Sequence, residues 1–331
     1  MKDKVLKFTL SLLIGAFFLW LAFRNADLNA LWTQIKGVSF YWLPLFALAM
    51  TFSHYLRAER WRLLFPENQD EPPRSTLFAG VMLGYVVNNL VPRLGEISRP
   101  VYVSRNRQIS GFNLLGTIVA ERFFDLLTMF SLILLTTFLL VSDLNLLQQV
   151  FGIQSWGWKH YAMIPVVLIV MAGAMLVGYR IAITLEQKMV IRNPVILRLV
   201  GYARSFGEGL ISLKRVRHWP KFLLYTAGIW TGYTVMTFLP FYMMSMQARF
   251  GLYVSESIVV TVVSSIGVSI PTPAGVGSYH LFIQKTLTQL YGVPQIEALT
   301  YATVTHAVTI ALVFLIGPLV LWWDKYQTMK K

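Results

Sequence analysis

Cysteine is absent from the 331-residue chain, and charged residues are scarce at 13% of the sequence. Without cysteine there is no disulfide, no thiolate chemistry and no cysteine-ligated metal. A soluble domain carries about 25% charged residues, so this composition lacks the groups that keep a protein surface in water. No polar stretch is long enough to bury a core of its own. Residues 1–331 are therefore predicted to form a single transmembrane domain.

Motifs for common enzyme chemistry are also missing. The sequence contains no Gly-Lys-Ser/Thr phosphate-binding loop, no His-Glu-x-x-His zinc motif and no acidic metal motif. We therefore expect no cofactor, no metal and no catalytic residue. An intramembrane transferase that uses Glu96 or His280 remains an open alternative.

Long apolar runs dominate what is present, since 56% of the residues are hydrophobic. Uncharged runs of roughly 18 residues or more predict membrane-spanning helices, so the fold class is an all-α polytopic integral membrane protein. The predicted apolar segments are Phe8–Phe23, Gly37–Leu56, Leu77–Val91, Phe112–Ala120, Glu121–Val141, Tyr161–Tyr179, Phe222–Met246, Leu252–Ile270, Leu281–Tyr291 and Ala298–Trp323. The basic segment Val195–Leu213 has helical periodicity and would lie on the cytoplasmic surface or pack under the bundle.

The net charge of +14 reflects topology rather than nucleic-acid binding, because the basic residues lie between apolar runs. Basic-rich segments of membrane proteins lie mainly on the cytoplasmic side. In this chain the basic-rich and basic-poor segments fall on alternate sides of the membrane only if two regions enter the membrane and return to the side from which they entered. These regions are Leu77–Ala120, from the cytoplasm, and Leu252–Tyr291, from outside. Six helices then cross fully, or eight spans if the hairpins are counted, with both termini cytoplasmic. The two halves would form an inverted repeat, which in transporters places a site at the midplane.

The first broken region carries polar and charged residues directly after an apolar run. Pro92 and Gly95 interrupt the helix, and backbone freed in this way is tolerated at membrane depth only beside protein or a water-filled cavity. A guanidinium can bind a phosphate through a planar, paired contact. The candidate substrate-binding residues here are Asn88, Asn89, Arg93, Glu96 and Arg99. The alternative is an ordinary cytoplasmic loop.

Three charged residues follow in the next segment. Glu121 and Asp125 are four residues apart and share a helix face, and Arg122 is spaced to pair with Asp125. These groups would neutralise the arginines and hold the hairpin, or they would contact a cationic headgroup or carry protons. We include Glu121, Arg122 and Asp125 among the candidate site residues.

The second broken region is rich in proline and glycine. Thr272 and Ser278 are good N-cap residues, so a half-helix is predicted to start here inside the membrane. Its free N–H groups would favour an anion. The candidate residues are Pro271, Pro273, Gly275, Gly277 and Ser278. The alternative is a kinked helix that serves only packing. His280 follows the break and would either tune charge and carry protons or act as a packing residue.

The motifs at residues 88–99 (Asn-Asn-Leu-Val-Pro-Arg-Leu-Gly-Glu-Ile-Ser-Arg), 121–125 (Glu-Arg-Phe-Phe-Asp) and 271–277 (Pro-Thr-Pro-Ala-Gly-Val-Gly) resemble the transmembrane region of lysylphosphatidylglycerol synthase/flippase proteins. The resemblance covers nearly the whole chain and implies lipid translocation between leaflets. The soluble aminoacyl-transferase domain of two-part members is not found in these residues, so lysyl transfer is not implied. Ala274 stands where the family usually has glycine, and His280 where glutamate is common.

Together these features predict a flippase-like lipid transporter of the bacterial inner membrane. Its expected partners are membrane lipids with a phosphate headgroup, and no nucleic acid. A homo-oligomer or a partner envelope enzyme stays open. The alternative function is a non-transporting accessory subunit of an envelope glycosyltransferase or lipid-modifying enzyme.

Overall fold

The structure is a computed structural model that describes residues 2–65, 72–107, 111–141, 216 and 218–330. The predicted span Tyr161–Tyr179 and the basic helix Val195–Leu213 lie outside the described residues. Within them every regular element is helical, which confirms the all-α class. The α-helices are α1 Lys2–Phe23, α2 Leu28–Lys36, α3 Leu43–Arg62, α4 Arg74–Leu90, α5 Gly95–Arg107, α6 Gly111–Val141, α7 Trp219–Met243, α8 Met246–Phe250, α9 Val254–Ser269, α10 Ser278–Tyr291 and α11 Gln295–Met329.

The first span bends sharply into a short second helix. The α1 segment Thr9–Phe23 and helix α2 meet at 86°. The Asp27 carboxylate starts α2 by accepting the backbone N–H groups of Asn29 and Ala30. The sequence analysis assigned no helix to residues 24–36 and began the second span at Gly37. That was wrong, because α2 is capped locally and α3 begins only at Leu43.

The first broken region is a helical hairpin whose arms pack against each other. Helix α4 ends at Leu90 and α5 runs back along it, so that Gly84 faces the Gly95 carbonyl and Gly80 faces Val103. A Cβ on Gly95 would collide with the Gly84 carbonyl, which makes glycine necessary at this crossing. A helical hairpin is thus present in this region, but its extent differs from the prediction, and its return to the side of entry stays a prediction. Its return arm is α5 rather than Phe112–Ala120, because α6 runs unbroken through Glu121.

A buried carboxylate at the end of α11 ties the two arms of this hairpin together. Asp324 accepts hydrogen bonds from the Thr76 hydroxyl on α4 at 2.9 Å and from the Tyr102 hydroxyl on α5 at 2.8 Å. Since the Asp324 side chain is buried, these donors replace the water it would otherwise bind.

The second broken region forms the corresponding hairpin from α9 and α10. Between the arms, residues Pro273–Gly275 form a single 3₁₀ turn. The Ser278 hydroxyl, at the start of α10, donates a 2.8 Å hydrogen bond to the Gly267 carbonyl on α9. Helix α1 packs against this turn, and the Ser11 hydroxyl donates to the Pro271 carbonyl at 2.7 Å.

The two halves share several helix–helix contacts. Helix α3 packs on α4 as α7 packs on α9, and α5 packs on α6 as α10 packs on α11. Across the halves, α4 contacts α11 and α9 contacts α6, while α3 and α7 contact each other at the centre. Small residues permit the central crossing, where Gly232 faces Ser53 and Gly228 faces Leu56.

The outer surface is apolar, as a lipid-facing surface must be. Large hydrophobic side chains exposed on α1, α3, α6, α7 and α11 include Leu13, Leu48, Leu126, Leu224 and Leu315. Two described helices, Trp219–Met243 and Gln295–Met329, are long and apolar enough to cross a membrane alone, and the bent pair of α1 and α2 makes a third. The chain is thus a membrane protein, and the predicted number of six crossings is not established.

Candidate functional site

Buried arginines from two helices, α3 and α5, converge on two carboxylates of α6. The Glu121 carboxylate lies 2.9 Å from Arg57 and 2.8 Å from Arg99. Arg60 reaches Glu121 at 3.4 Å and Asp125 at 2.5 Å, and Arg57 also reaches Asp125 at 3.0 Å. The Glu121 side chain is only 1% exposed. Because an unpaired buried charge is costly, each of these groups depends on the others.

A more exposed ion pair forms the edge of this group. Arg122 pairs with Glu96 at 3.2 Å and lies 3.7 Å from Asp125, and the side chains of Arg122 and Glu96 are 43% and 39% exposed. We use the term charge cluster for these seven residues, which are Arg57, Arg60, Glu96, Arg99, Glu121, Arg122 and Asp125. Four guanidinium groups face three carboxylates, so the charge cluster carries one positive charge in excess.

Aromatic and hydroxyl groups hold the arginines in place. The Arg99 guanidinium lies 3.9 Å from the centre of the Trp61 ring, and Arg60 lies 5.5 Å from that of Phe222. Arg60 also donates to the Thr226 hydroxyl at 3.2 Å, which connects α3 to α7. The arginines are therefore oriented by the surrounding helices as well as by the carboxylates.

Sequence reasoning missed Arg57 and Arg60 as members of the site. It ended the second span at Leu56 and assigned both arginines to the following loop, whereas α3 continues to Arg62. A usable signal was present, since residues three apart share a helix face and both arginines extend an apolar helix. Of the predicted residues, the charge cluster brings together Glu96, Arg99, Glu121, Arg122 and Asp125, including the predicted Arg122–Asp125 contact.

The remaining candidates of the first break lie around the turn. Arg93 is exposed, adopts a left-handed φ of 64° and has no ion pair among the described residues. Asn88 caps the start of α5, because its side-chain oxygen accepts the Gly95 N–H at 2.7 Å. Together with Arg57, Arg99, Arg122 and Glu96, Asn88 lines a crevice of about 20 Å³, which has room for about one water.

A larger cavity of about 210 Å³ lies between the two halves of the protein. It is bounded by α3, α4, α7, α9, α11 and the turn of the second hairpin. Its polar lining includes Tyr85, Tyr233, Tyr279, Thr237, Thr261, Ser264, Ser265, Thr305, Thr309, Asn89, His54 and His306. No arginine, lysine, aspartate or glutamate of the described residues lines it. Sequence reasoning had placed the charged residues at the central cavity, but in the structure they line the adjoining crevice instead.

Tyr85 connects the cavity with the charge cluster. It lines both the 210 Å³ cavity and the crevice beside Arg57 and Arg99. Its hydroxyl lies 3.1 Å from that of Tyr233 on α7. A ligand that occupied both spaces would therefore pass this tyrosine pair.

The second break contributes backbone shape rather than charge. Gly275 and Gly277 have positive φ values of 76° and 86°, and a Cβ on Gly277 would meet the Leu19 nitrogen of α1 at 2.6 Å. Pro273 starts the 3₁₀ turn, and the Pro271 carbonyl accepts the Ser11 hydroxyl. The following residue of the turn, Ala274, lines the cavity.

Ser278 does not act as the predicted N-cap. Gly277 precedes the first residue of α10, and the Ser278 hydroxyl is fully buried and bonds to Gly267 and Gly275 carbonyls. The physical reason is the tight packing of the two arms, which leaves no space for a ligand at this helix end.

His280 lies away from the central cavity. Its ring is buried between Phe23 on α1, at 5.8 Å, and His306 on α11, at 5.2 Å. His306 in turn faces Tyr279 at 4.6 Å and lines the cavity. His280 was predicted to be either a proton carrier or a packing residue. In the structure it lies behind His306, which forms the cavity wall.

Among the described residues, no group of three or more His, Cys, Asp or Glu side chains is placed to hold a metal ion. A family model described as the lysylphosphatidylglycerol synthase TM region matches residues 8–317. Neither the comparison with curated proteins nor the comparison with solved structures gave a match.

Proposed function

The chain belongs to the lysylphosphatidylglycerol synthase TM-region family, and on that premise we propose that it moves a phosphate-bearing lipid between the leaflets of the bacterial inner membrane. The observation that carries this proposal is the excess positive charge of the charge cluster beside the central cavity. A phosphodiester carries one negative charge, which would balance four guanidinium groups against three carboxylates.

In the proposed mechanism the phosphate exchanges places with a carboxylate. Arg122 and Glu96 are the partly exposed members of the charge cluster, so their ion pair is the weakest in it. A lipid phosphate would displace Glu96 from Arg122, and Arg93 on the exposed turn would attract the phosphate from the surface. The crevice has room for about one water, so this exchange requires the hairpin to move.

The matching contacts of the two halves support such a movement. Inverted repeats with broken helices allow one half to rock against the other around a site at the midplane. The proposed orientation has both termini in the cytoplasm, with the first hairpin entering from that side. This follows from the distribution of lysine and arginine along the chain.

A reconstituted flipping assay tests the proposal. Purified protein in liposomes should move tail-labelled fluorescent phospholipids between leaflets faster than protein-free liposomes do. Arg122→Gln should slow this transfer about 10- to 100-fold, because it removes a charge-assisted hydrogen bond to the phosphate. Arg122→Lys should recover part of the rate, since an ammonium lacks the planar fork.

Arg249→Gln is the matched control. Arg249 also forms one ion pair with a glutamate, at 2.7 Å from Glu297, and its side chain is 49% exposed. This variant should keep the full rate. Full activity of Arg122→Gln would contradict the proposed phosphate contact. Transfer no faster than in protein-free liposomes would contradict the transport function and favour the accessory-subunit alternative.

A further inference from the structure

Helix α2 carries an apolar stripe that the rest of the protein only half covers. Leu31 and Ile35 face the protein, where they pack with α1 and with Leu299 of α11. Leu28 and Trp32 continue the same stripe, but their side chains are 63% and 59% exposed. With 3.6 residues per turn, these four positions of α2 span an arc of about 100°. Half of a typical apolar helix face is therefore turned away from the protein.

The bend between α1 and α2 sets the direction of this stripe. Thr9–Phe23 and α2 meet at 86°. Helix α1 exposes large apolar side chains such as Leu13 and Phe17, as a lipid-facing span does. A helix at a right angle to a span runs parallel to the membrane plane. An amphipathic helix in that orientation buries its apolar side at the boundary between headgroups and acyl chains.

The length of α11 gives the level of α2 in the membrane. Helix α2 packs beside Leu299, near the start of α11, whereas Trp322 and Trp323 are exposed near its end. Leu299 and Trp322 are 23 residues apart on α11, which corresponds to about 35 Å of helix. The hydrocarbon core of a bilayer is about 30 Å thick, and exposed tryptophans favour its two boundaries. When Trp322 lies at one boundary, α2 therefore lies at the other.

Two exposed tryptophans near the bend each have a basic side chain beside the ring. The Lys36 ammonium lies 5.5 Å from the centre of the Trp32 ring, and the Arg24 guanidinium lies 5.3 Å from that of Trp20. Both cations are exposed, and neither forms an ion pair among the described residues. An indole at the hydrocarbon boundary with a cation beside it matches the headgroup layer, where lipid phosphates supply the negative charge.

We propose that α2 is a membrane-surface helix that lies flat in the headgroup layer of the leaflet on its side of the membrane. Leu28 and Trp32 lie among the upper acyl chains, and Arg24 and Lys36 contact lipid phosphates. In the proposed orientation this is the outer leaflet. The lipid surface covers the exposed half of the stripe, and this contact does not depend on lipid transport.

The same geometry sets the depth of the second turn. The Ser11 hydroxyl of α1 donates to the Pro271 carbonyl in that turn, and Phe23 ends α1 at the bend. Ser11 and Phe23 are 12 residues apart, or about 18 Å of helix. Half of the hydrocarbon core measures about 15 Å. With α2 at the membrane surface, the second turn therefore lies close to the bilayer midplane.

Depth-dependent fluorescence quenching in liposomes tests the proposal. The chain has no native cysteine, so a small fluorophore can be attached to one cysteine variant at a time. The quenchers are iodide on both sides of the membrane, a phospholipid with a nitroxide high on its acyl chain, and one with a nitroxide at the chain end. Labels on Leu28→Cys and Trp32→Cys should be quenched about twofold or more as strongly by the shallow nitroxide as by either other quencher.

Two further variants calibrate the depth. Thr33→Cys is the matched control, because Thr33 is also exposed on α2 but lies outside the apolar arc, so iodide should be its strongest quencher. Leu13→Cys marks the level of the second turn, because Leu13 is exposed on α1 close to Gly15, which faces Thr272 and Pro273. Its label should respond most to the nitroxide at the chain end.

Three results would overturn the proposal. Equal quenching of the Trp32 and Thr33 labels by iodide would show that α2 stands in water, where its stripe would suit a protein partner. A Trp32 label shielded from iodide and from both nitroxide lipids would indicate a second copy of the chain on this surface. A Leu13 label most sensitive to the shallow nitroxide would contradict the derived depth of α1 and of the second turn. None of these measurements requires lipid transfer, so each result is independent of the transport function.

Discussion

The two broken hairpins have the same helix–turn–helix form but are held in place by different physical means. The arms of the first, α4 and α5, dock through ion pairs such as Arg99–Glu121 and through the buried Asp324. The turn of the second hairpin is held by close backbone contacts with α1, such as those of Gly277, and by neutral hydroxyl groups such as that of Ser278. A helix break inside a membrane protein, where backbone groups lack helical hydrogen bonds, can thus be stabilised either by charge pairing or by tight packing.

This difference also divides the chemistry of the site. The ionic hairpin supplies the positive charge that a phosphate needs, and the neutral hairpin supplies one wall of an uncharged cavity. Ion pairs can exchange partners when a charged ligand arrives, whereas close backbone packing cannot. We therefore expect the first hairpin to respond to the phosphate and the second to fix the shape of the cavity.

The largest effect should come from breaking the ionic hairpin at Glu121. Glu121→Gln removes the carboxylate charge that Arg57, Arg60 and Arg99 share. Arg57 and Arg60 keep their ion pairs with Asp125, but the buried Arg99 loses its one described carboxylate partner. We expect a loss of about 3–5 kcal/mol in the free energy of unfolding, measured by thermal denaturation in detergent.

Glu297→Gln serves as the control for this variant. Glu297 is also buried but has a single described ion pair, with the half-exposed Arg249, which can be hydrated when the pair is lost. Glu297→Gln should therefore lower the free energy of unfolding by clearly less than Glu121→Gln does. Equal losses for Glu121→Gln and Glu297→Gln would show that the first hairpin does not depend on its shared carboxylate.

A smaller effect is expected from disturbing the packing of the second hairpin at Gly277. Gly277→Ala would place a methyl group against the backbone of α1 at a φ of 86°. Backbone strain and overpacking should together cost about 2–4 kcal/mol in unfolding free energy.

Gly292→Ala separates strain from packing. Gly292 has a similar φ of 64°, but a Cβ there would meet nothing within 4 Å. Gly292→Ala should therefore lower the free energy of unfolding by only about 1–2 kcal/mol, which is the backbone strain alone. If both alanine variants unfold at the same temperature, then contact with α1 does not hold the second turn in place.

The smallest effect should be a gain in stability at Ala274. This residue is held at a left-handed φ of 54°, where glycine carries no penalty. Ala274→Gly should raise the unfolding free energy by about 1 kcal/mol. Ala302→Gly, in the interior of α11, should lower it by a similar amount. A decrease in stability for Ala274→Gly would mean that its strain is outweighed by lost packing.

The helix breaks were predictable because their signals are local. Pro92, Gly95, Pro271 and Pro273 mark both turns in the sequence, and the structure places a turn at each. The N-cap of α2 at Asp27 was an equally local signal that was not used. The start of α10 differed from prediction because packing against α9 placed Gly277, and not Ser278, in the cap position.

The composition of the site was less predictable because its pairings are distant in sequence. Arg60 and Asp125 are 65 residues apart, and no local pattern states that they meet. The same holds for the pair of Tyr85 and Tyr233, which are 148 residues apart. Charge pattern alone therefore identified the carboxylates of α6 but not the arginines of α3 that they neutralise.

The central claim is that the two hairpins enter the membrane from opposite sides and return, and single-cysteine labelling tests it most directly. The chain has no native cysteine, so each variant carries a single thiol. With a membrane-impermeant maleimide, Ser75→Cys and Ser104→Cys, at the open ends of the first hairpin, should both label from the cytoplasmic side. Ser255→Cys and Gln295→Cys, at the outer ends of the second, should both label from the opposite side. Labelling of Ser75→Cys and Ser104→Cys from different sides would contradict the account, because the first region would then be a full crossing.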